Sequence, residues 1–123
     1  MRIGVIGQGY VGSAVKEVFS KHYDVETYDL DKDKCSVDYL EDIVELSNII
    51  FICVPTPMGL DGNQDSEIIE AVVEELAAKC PETIIVVKST VLPSLLDELY
   101  KLDPKLVYNP EFLREKHANL DFV

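Results

Sequence analysis

The sequence predicts an α/β fold, a single doubly wound domain over residues 1–123 with a mostly parallel sheet of five strands. Three observations lead there. Short apolar runs alternate with helical patterns along the whole chain. One run, Ile49 to Val54, is apolar on both faces, as a strand covered by helices on each side must be. A glycine-spaced turn joins the first run to the first helical pattern.

Residues 2–7 form an apolar run that closes on glycine, as a buried strand does. Val11, Ala14, Val15, Val18 and Phe19 then recur at helical spacing and put one apolar stripe on a helix. Tyr23, Val25 and Thr27 alternate as a second strand, and the polar stretch 31–36 reads as a loop or a frayed helix start. Residues 38–46 predict a short helix. The third strand, 49–54, is stopped by Pro55 and Pro57, and Gly59 and Gly62 mark a long loop. Asp65 is placed to cap the clearest helix, with the stripe Ile68, Ile69, Val72, Val73 and Leu76 and Pro81 closing it. A strand over 83–88, a helix over 92–102, a strand over 105–108 and a helical turn over 111–117 complete the order.

The balance of charge narrows the partners. Against 23 acids stand 11 Lys and Arg, for a net charge of −12, which argues against nucleic acid and anionic membranes. No apolar stretch is long enough for a membrane span, and the N-terminus reads as a strand and turn rather than a secretory signal. Cys35, Cys53 and Cys80 make neither a disulfide framework nor a zinc pattern, so a reducing cytoplasm is expected. His22 and His117 lack the spacing of metal ligands, and no metal site is expected.

Gly7-Gln8-Gly9-Tyr10-Val11-Gly12 fits the G-x-G-x-x-G pattern at a strand-to-helix junction, the context that makes it a Rossmann-like dinucleotide loop. Gly7 permits the tight turn, Gly9 lets backbone approach a pyrophosphate, and Gly12 lets helix and strand pack closely. Asp29 ends the second strand at the spacing where an acid accepts from the adenosine ribose hydroxyls. That carboxylate would repel the extra phosphate of NADP, so the expected cofactor is NAD. Alone, Asp29 could equally open a polar turn with Asp31 and Asp33.

Four further segments go beyond generic dinucleotide grammar. They are Val54-Pro55-Thr56-Pro57, Lys88-Ser89-Thr90-Val91-Leu92-Pro93, Asn109-Pro110-Glu111-Phe112-Leu113-Arg114-Glu115, and Ala118 with Asp121-Phe122. With Gly9-Tyr10-Val11-Gly12 they resemble the N-terminal NAD-binding domain of the UDP-glucose and related nucleotide-sugar 6-dehydrogenases, over almost the whole chain. The resemblance implies that Gly7, Gly9, Tyr10, Val11, Gly12 and Asp29 hold the adenosine and pyrophosphate of NAD. It places Val54, Thr56, Pro57 and Thr90 toward the nicotinamide, and Glu111, Phe112, Leu113 and Arg114 against a UDP-sugar. Glu115 would do acid–base work at the reacting carbon, and Thr90 would help place the hydrolytic water. Read from the residues alone, Glu111 and Glu115 lie on one face of a helical turn, either as a base in a cleft or as a solvated acidic pair.

In that family, the resemblance implies, the sugar C6 alcohol is oxidised to a carboxylate with two NAD. A cysteine of a C-terminal domain forms a thiohemiacetal and then a thioester. That domain, the central dimerisation helix and a further strand are expected to be absent from residues 1–123. None of Cys35, Cys53 and Cys80 stands in the nucleophile's glycine-rich context, and Lys116 replaces the glycine that usually follows the Glu. The last strand would then be an open edge, a surface for a second copy or for a separate chain carrying the C-terminal domain. Two readings follow: the NAD-binding part of a nucleotide-sugar dehydrogenase, inactive alone, or a non-catalytic NAD-binding regulatory module or partner of a separate catalytic chain.

Overall fold

Alternation along the strands decides which face each side chain takes. The computed structural model describes residues 1–29, 31–37, 39–56, 66–79 and 82–110. Its strands are β1 (Arg2–Ile6), β2 (Asp24–Tyr28), β3 (Ile49–Ile52), β4 (Ile84–Val87) and β5 (Val107–Tyr108). They form one sheet in the order β2-β1-β3-β4-β5, and every pairing is parallel. Between them run α1 (Tyr10–Phe19), α2 (Leu40–Leu46), α3 (Glu67–Lys79) and α4 (Pro93–Leu102). The doubly wound architecture expected from the sequence is the one observed. None of these helices is long and apolar enough to cross a membrane.

The two faces differ in cover. Ile50, Ile52, Ile85 and Val87 face a large core closed by Ile43 of α2, Ile69, Val73 and Leu76 of α3, and Leu95 and Leu99 of α4. On the opposite face Ile3, Val5 and Cys53 pack with Val15, Val11 and Phe19 of α1, and Phe19 stacks on Phe51 at 5.3 Å. Ile84 and Val107 are both exposed. An exposed cluster ties two helices of the larger core: Lys79 on α3 bonds Glu41 of α2 at 2.7 Å and Glu75 at 2.9 Å. The Lys79 ammonium holds the Glu41 carboxyl below its ordinary range, mainly by direct hydrogen bonding.

Several boundaries tighten. The polar stretch after β2 contains a 3-10 turn, Lys32–Lys34, capped by Asp31, whose carboxylate accepts from the Asp33 N–H. Ile68, expected in the buried stripe of its helix, is exposed, because only Ile69, Val73 and Leu76 point squarely at the sheet. The fifth strand shrinks to two residues: Asp103 is buried and bonds Lys105 through both backbone N–H and ammonium, which spends residues 103–105 on a turn. Asp65 and Pro81, the expected ends of the third helix, and the turn expected over 111–117 lie outside the described residues.

The topology also fixes where a ligand can sit. After β2 the chain crosses back over β1 to lay down β3, so the connections leave β1 and β3 in opposite directions. The crevice at the carboxyl ends of those two strands is the switch point of an open α/β sheet.

Candidate functional site

At that crevice β1 ends with Ile6 and α1 begins with Tyr10, so Gly7, Gln8 and Gly9 make the whole turn. The Gly7 N–H donates to the Tyr28 carbonyl at 2.8 Å, and the Cys53 N–H donates to the Ile6 carbonyl at 2.7 Å. The turn thus leaves the sheet pinned on both sides. Gly7 has φ 94, in the region that favours glycine, and a Cβ there would stand 2.6 Å from the Cys53 carbonyl oxygen. A Cβ on Gly12 would overlap the Gly7 carbonyl oxygen, because the first turn of α1 rests directly on the loop.

Gly9 is different. Its φ of −77 is open to any residue, and a Cβ would meet nothing within 4 Å. Among the described residues nothing in the packing asks for glycine there. It is also the N-cap of α1, with no side-chain cap and no acid in the first turn. The N–H groups of that turn therefore present an uncompensated partial positive charge at an open surface, which suits an anion. Within the turn Val11 packs toward the sheet, so what it offers a ligand is backbone.

Asp29 closes the other side of the loop. Its Oδ2 accepts from the Gln8 N–H at 2.6 Å and its Oδ1 from the Asp31 N–H at 2.8 Å. The acid opens a polar turn with Asp31 and at the same time faces the glycine loop. A carboxylate has about four acceptor positions, so two bonds leave room for hydroxyl donors. Cys35 secures the acid from behind. Its sulfur accepts from the Asp29 N–H at 3.1 Å and donates to the Asp29 carbonyl at 3.0 Å. Ser36 continues the closure, its Oγ accepting from the Thr27 N–H at 2.7 Å. Neither role was readable from the sequence, since a thiol and a hydroxyl in a polar stretch carry no pattern.

Along the same edge the loops after β3 and β4 are laced to each other and to β5. The Thr56 hydroxyl donates to the Thr90 carbonyl at 2.7 Å, and the Ser89 hydroxyl donates to the Val54 carbonyl at 2.7 Å. Tyr108 Oη accepts from the Val91 N–H at 3.0 Å and donates to the Val91 carbonyl at 3.1 Å. Val54, Thr56 and Thr90, singled out separately in the sequence, are thus brought onto one scaffold. Lys88, just past the carboxyl end of β4, is buried. Beside it the Cys53 thiol is pushed up to about 12 by burial, with the Lys88 charge pulling partly the other way. A thiol so protonated and enclosed is no nucleophile at neutral pH. Among the described residues no three His, Cys, Asp or Glu side chains converge as metal ligands would.

Pro57, Glu111, Phe112, Leu113, Arg114 and Glu115 lie outside the described residues, as do Cys80 and the Tyr10 side chain.

Comparison with known proteins gives the family and the fold. The NAD binding domain of the UDP-glucose/GDP-mannose dehydrogenase family matches residues 35–123. A UDP-glucose 6-dehydrogenase of Rhizobium meliloti is 32% identical over 162 aligned positions, covering 99% of this chain and 37% of that protein. Among solved structures, a GDP-mannose dehydrogenase of Pseudomonas aeruginosa in a ternary complex superposes with TM-score 0.81 at 25% identity, over 99% of this chain and 38% of that one. A UDP-glucose dehydrogenase of Pyrobaculum islandicum has the same fold, with TM-score 0.79 at 24% identity over 98% and 38%. The chain therefore spans well under half the length of these proteins. The 162 positions exceed the 123 residues here, so the Rhizobium protein carries residues inside the span that this chain lacks.

Proposed function

The chain belongs to the UDP-glucose/GDP-mannose dehydrogenase family, through that family's NAD binding domain, and we propose that the carboxyl edge of β1, β3 and β4 holds one NAD. The cofactor is NAD; its placement is our reading. Pyrophosphate would lie over Gly9 on the uncapped N–H groups of Tyr10, Val11 and Gly12, and the adenosine ribose on Asp29. The nicotinamide end would lie along Val54, Thr56, Pro57 and Thr90. One observation carries this reading: the 2.6 Å bond from the Gln8 N–H to Asp29, which makes the glycine loop and the ribose acid one unit.

Replacing Gly9 by alanine tests it. Since a Cβ there meets nothing within 4 Å, the variant is expected to melt with the wild type. The methyl group would occupy the space of the pyrophosphate and weaken NAD by at least about tenfold, or about 1.4 kcal/mol. Calorimetric titration of both proteins decides. Wild-type affinity in the variant would remove the pyrophosphate from this loop, and a wild type that ignores NAD would remove the site.

Bound NAD supplies a hydride acceptor, and the reaction this domain would serve is oxidation of the C6 alcohol of a UDP-sugar. Glu111, Phe112, Leu113 and Arg114 would contact the sugar nucleotide, Glu115 would carry the proton, and Thr90 would orient water. The nucleophilic thiol would come from another segment: among the described residues Cys53 is enclosed and Cys35 is committed to its turn, and Cys80 has no glycine-rich sequence around it. A reducing cytoplasm suits a site whose ribose acid is braced by a free thiol.

A second copy, or a separate chain bearing that thiol, would dock on the outer edge of β5. There Val107 is 44% exposed and no described strand pairs. Light scattering over a wide concentration range is expected to give more than the monomer mass. A constant monomer mass would remove this contact.

A further inference from the structure

Tyr108 lies on β5, opposite Val87, and its ring packs against the larger core. Its hydroxyl reaches past the end of β4 to Val91. There it accepts the Val91 N–H at 3.0 Å and donates to the Val91 carbonyl at 3.1 Å. That N–H belongs to the same peptide unit as the Thr90 carbonyl, which accepts from the Thr56 hydroxyl at 2.7 Å. A peptide unit is planar, so holding its oxygen from one side and its hydrogen from the other fixes the plane. Thr56 grips from the loop after β3 and Tyr108 from β5. One residue earlier, buried Ser89 is tied to the Val54 carbonyl. Thr90 stands exposed between these anchors, at the edge where a ligand would lie.

We propose that Tyr108 is a positioning residue: its hydroxyl sets the Thr90–Val91 peptide and thereby aims the Thr90 side chain at the nicotinamide end of the cofactor. It touches neither cofactor nor substrate. The assignment rests on reading the 88–92 loop as that end of the site. It goes further in naming what holds the loop in place, a residue outside every motif that marks the dinucleotide.

The test is Tyr108→Phe in the whole chain, which keeps the ring in the core and removes only the oxygen. Affinities for NAD and for ADP-ribose, which shares everything except the nicotinamide, are measured by calorimetry on both proteins, with thermal melts alongside. Losing the clamp is expected to weaken NAD by about fivefold, the loss of about one hydrogen bond. ADP-ribose affinity is expected to hold within about twofold, because the glycine loop and Asp29 are untouched. A merely structural tyrosine would lower the melting temperature and leave the NAD to ADP-ribose ratio unchanged, and that outcome overturns the proposal. Equal losses for both ligands overturn it too. Should the wild type bind ADP-ribose as tightly as NAD, the reading of the loop falls first and the role of Tyr108 falls with it. The two failures are told apart because one shows in the wild type and the other only in the variant.

Discussion

Replacing Gly12 by alanine is expected to lower the melting temperature by roughly 10 °C and to remove NAD binding with it. The added methyl would fall inside the Gly7 carbonyl oxygen, so no rotamer relieves the contact. Gly7 cannot retreat, because its N–H is bonded to the Tyr28 carbonyl and its Cα lies against the Cys53 backbone. What must move is α1, whose Ala14 and Val15 are fully buried. Overpacking of this kind costs about 3 kcal/mol, a large fraction of the stability of a small domain. Thermal denaturation of G12A beside G9A separates the two glycines: the first should unfold early, and the second should melt with the wild type and fail only in binding. Equal melting temperatures would mean that α1 does not rest on the loop as described.

The second large effect is expected at Asp29. Alanine there removes the acceptor of two backbone N–H groups, one of them in the glycine loop itself. Hydrogen bonds to a charged partner are worth about 1.5–3 kcal/mol, so NAD affinity should fall by about tenfold to a hundredfold. Selectivity should shift as well. A cavity beside the acid is lined by Lys16 of α1 and by Asp33 and Lys34 of the 3-10 turn. Without the Asp29 carboxylate those ammonium groups face less opposing charge, and NADP should gain on NAD. Parallel titrations with the two dinucleotides measure the ratio; a ratio equal to wild type would take Asp29 away from the ribose.

How much of this was legible beforehand follows from the range of the interactions. Ile49 to Ile52 declared a doubly covered strand because burial on both faces leaves no polar position to interrupt the run. The glycine loop and Asp29 were legible because a strand of fixed rise and a helix of fixed pitch set the spacing between them. The exposure of Ile68 was not, since periodicity gives an apolar stripe but not how much of its width the sheet can cover. Cys35 and Tyr108 were silent for another reason. Each acts through one atom on backbone brought near by the fold, and nothing in the adjacent residues encodes that contact. The bond between Thr56 and Thr90 joins two segments that motif reading had found separately, and only the sheet order made them neighbours.

The position of β1 between β2 and β3 carries a consequence for the order in which this protein takes shape during synthesis. Residues 1–29 contain every glycine of the loop and the acid that faces it, yet as a nascent segment they would have no cradle to offer. The loop acquires its geometry from a carbonyl on Tyr28 on one side and the backbone of Cys53 on the other. The second of these arrives only when residues 49–52 have paired with β1, a non-local closure that is slow to form. If the dinucleotide sits on this loop, competence to bind it would wait for the third strand, which completes a loop synthesised well before it.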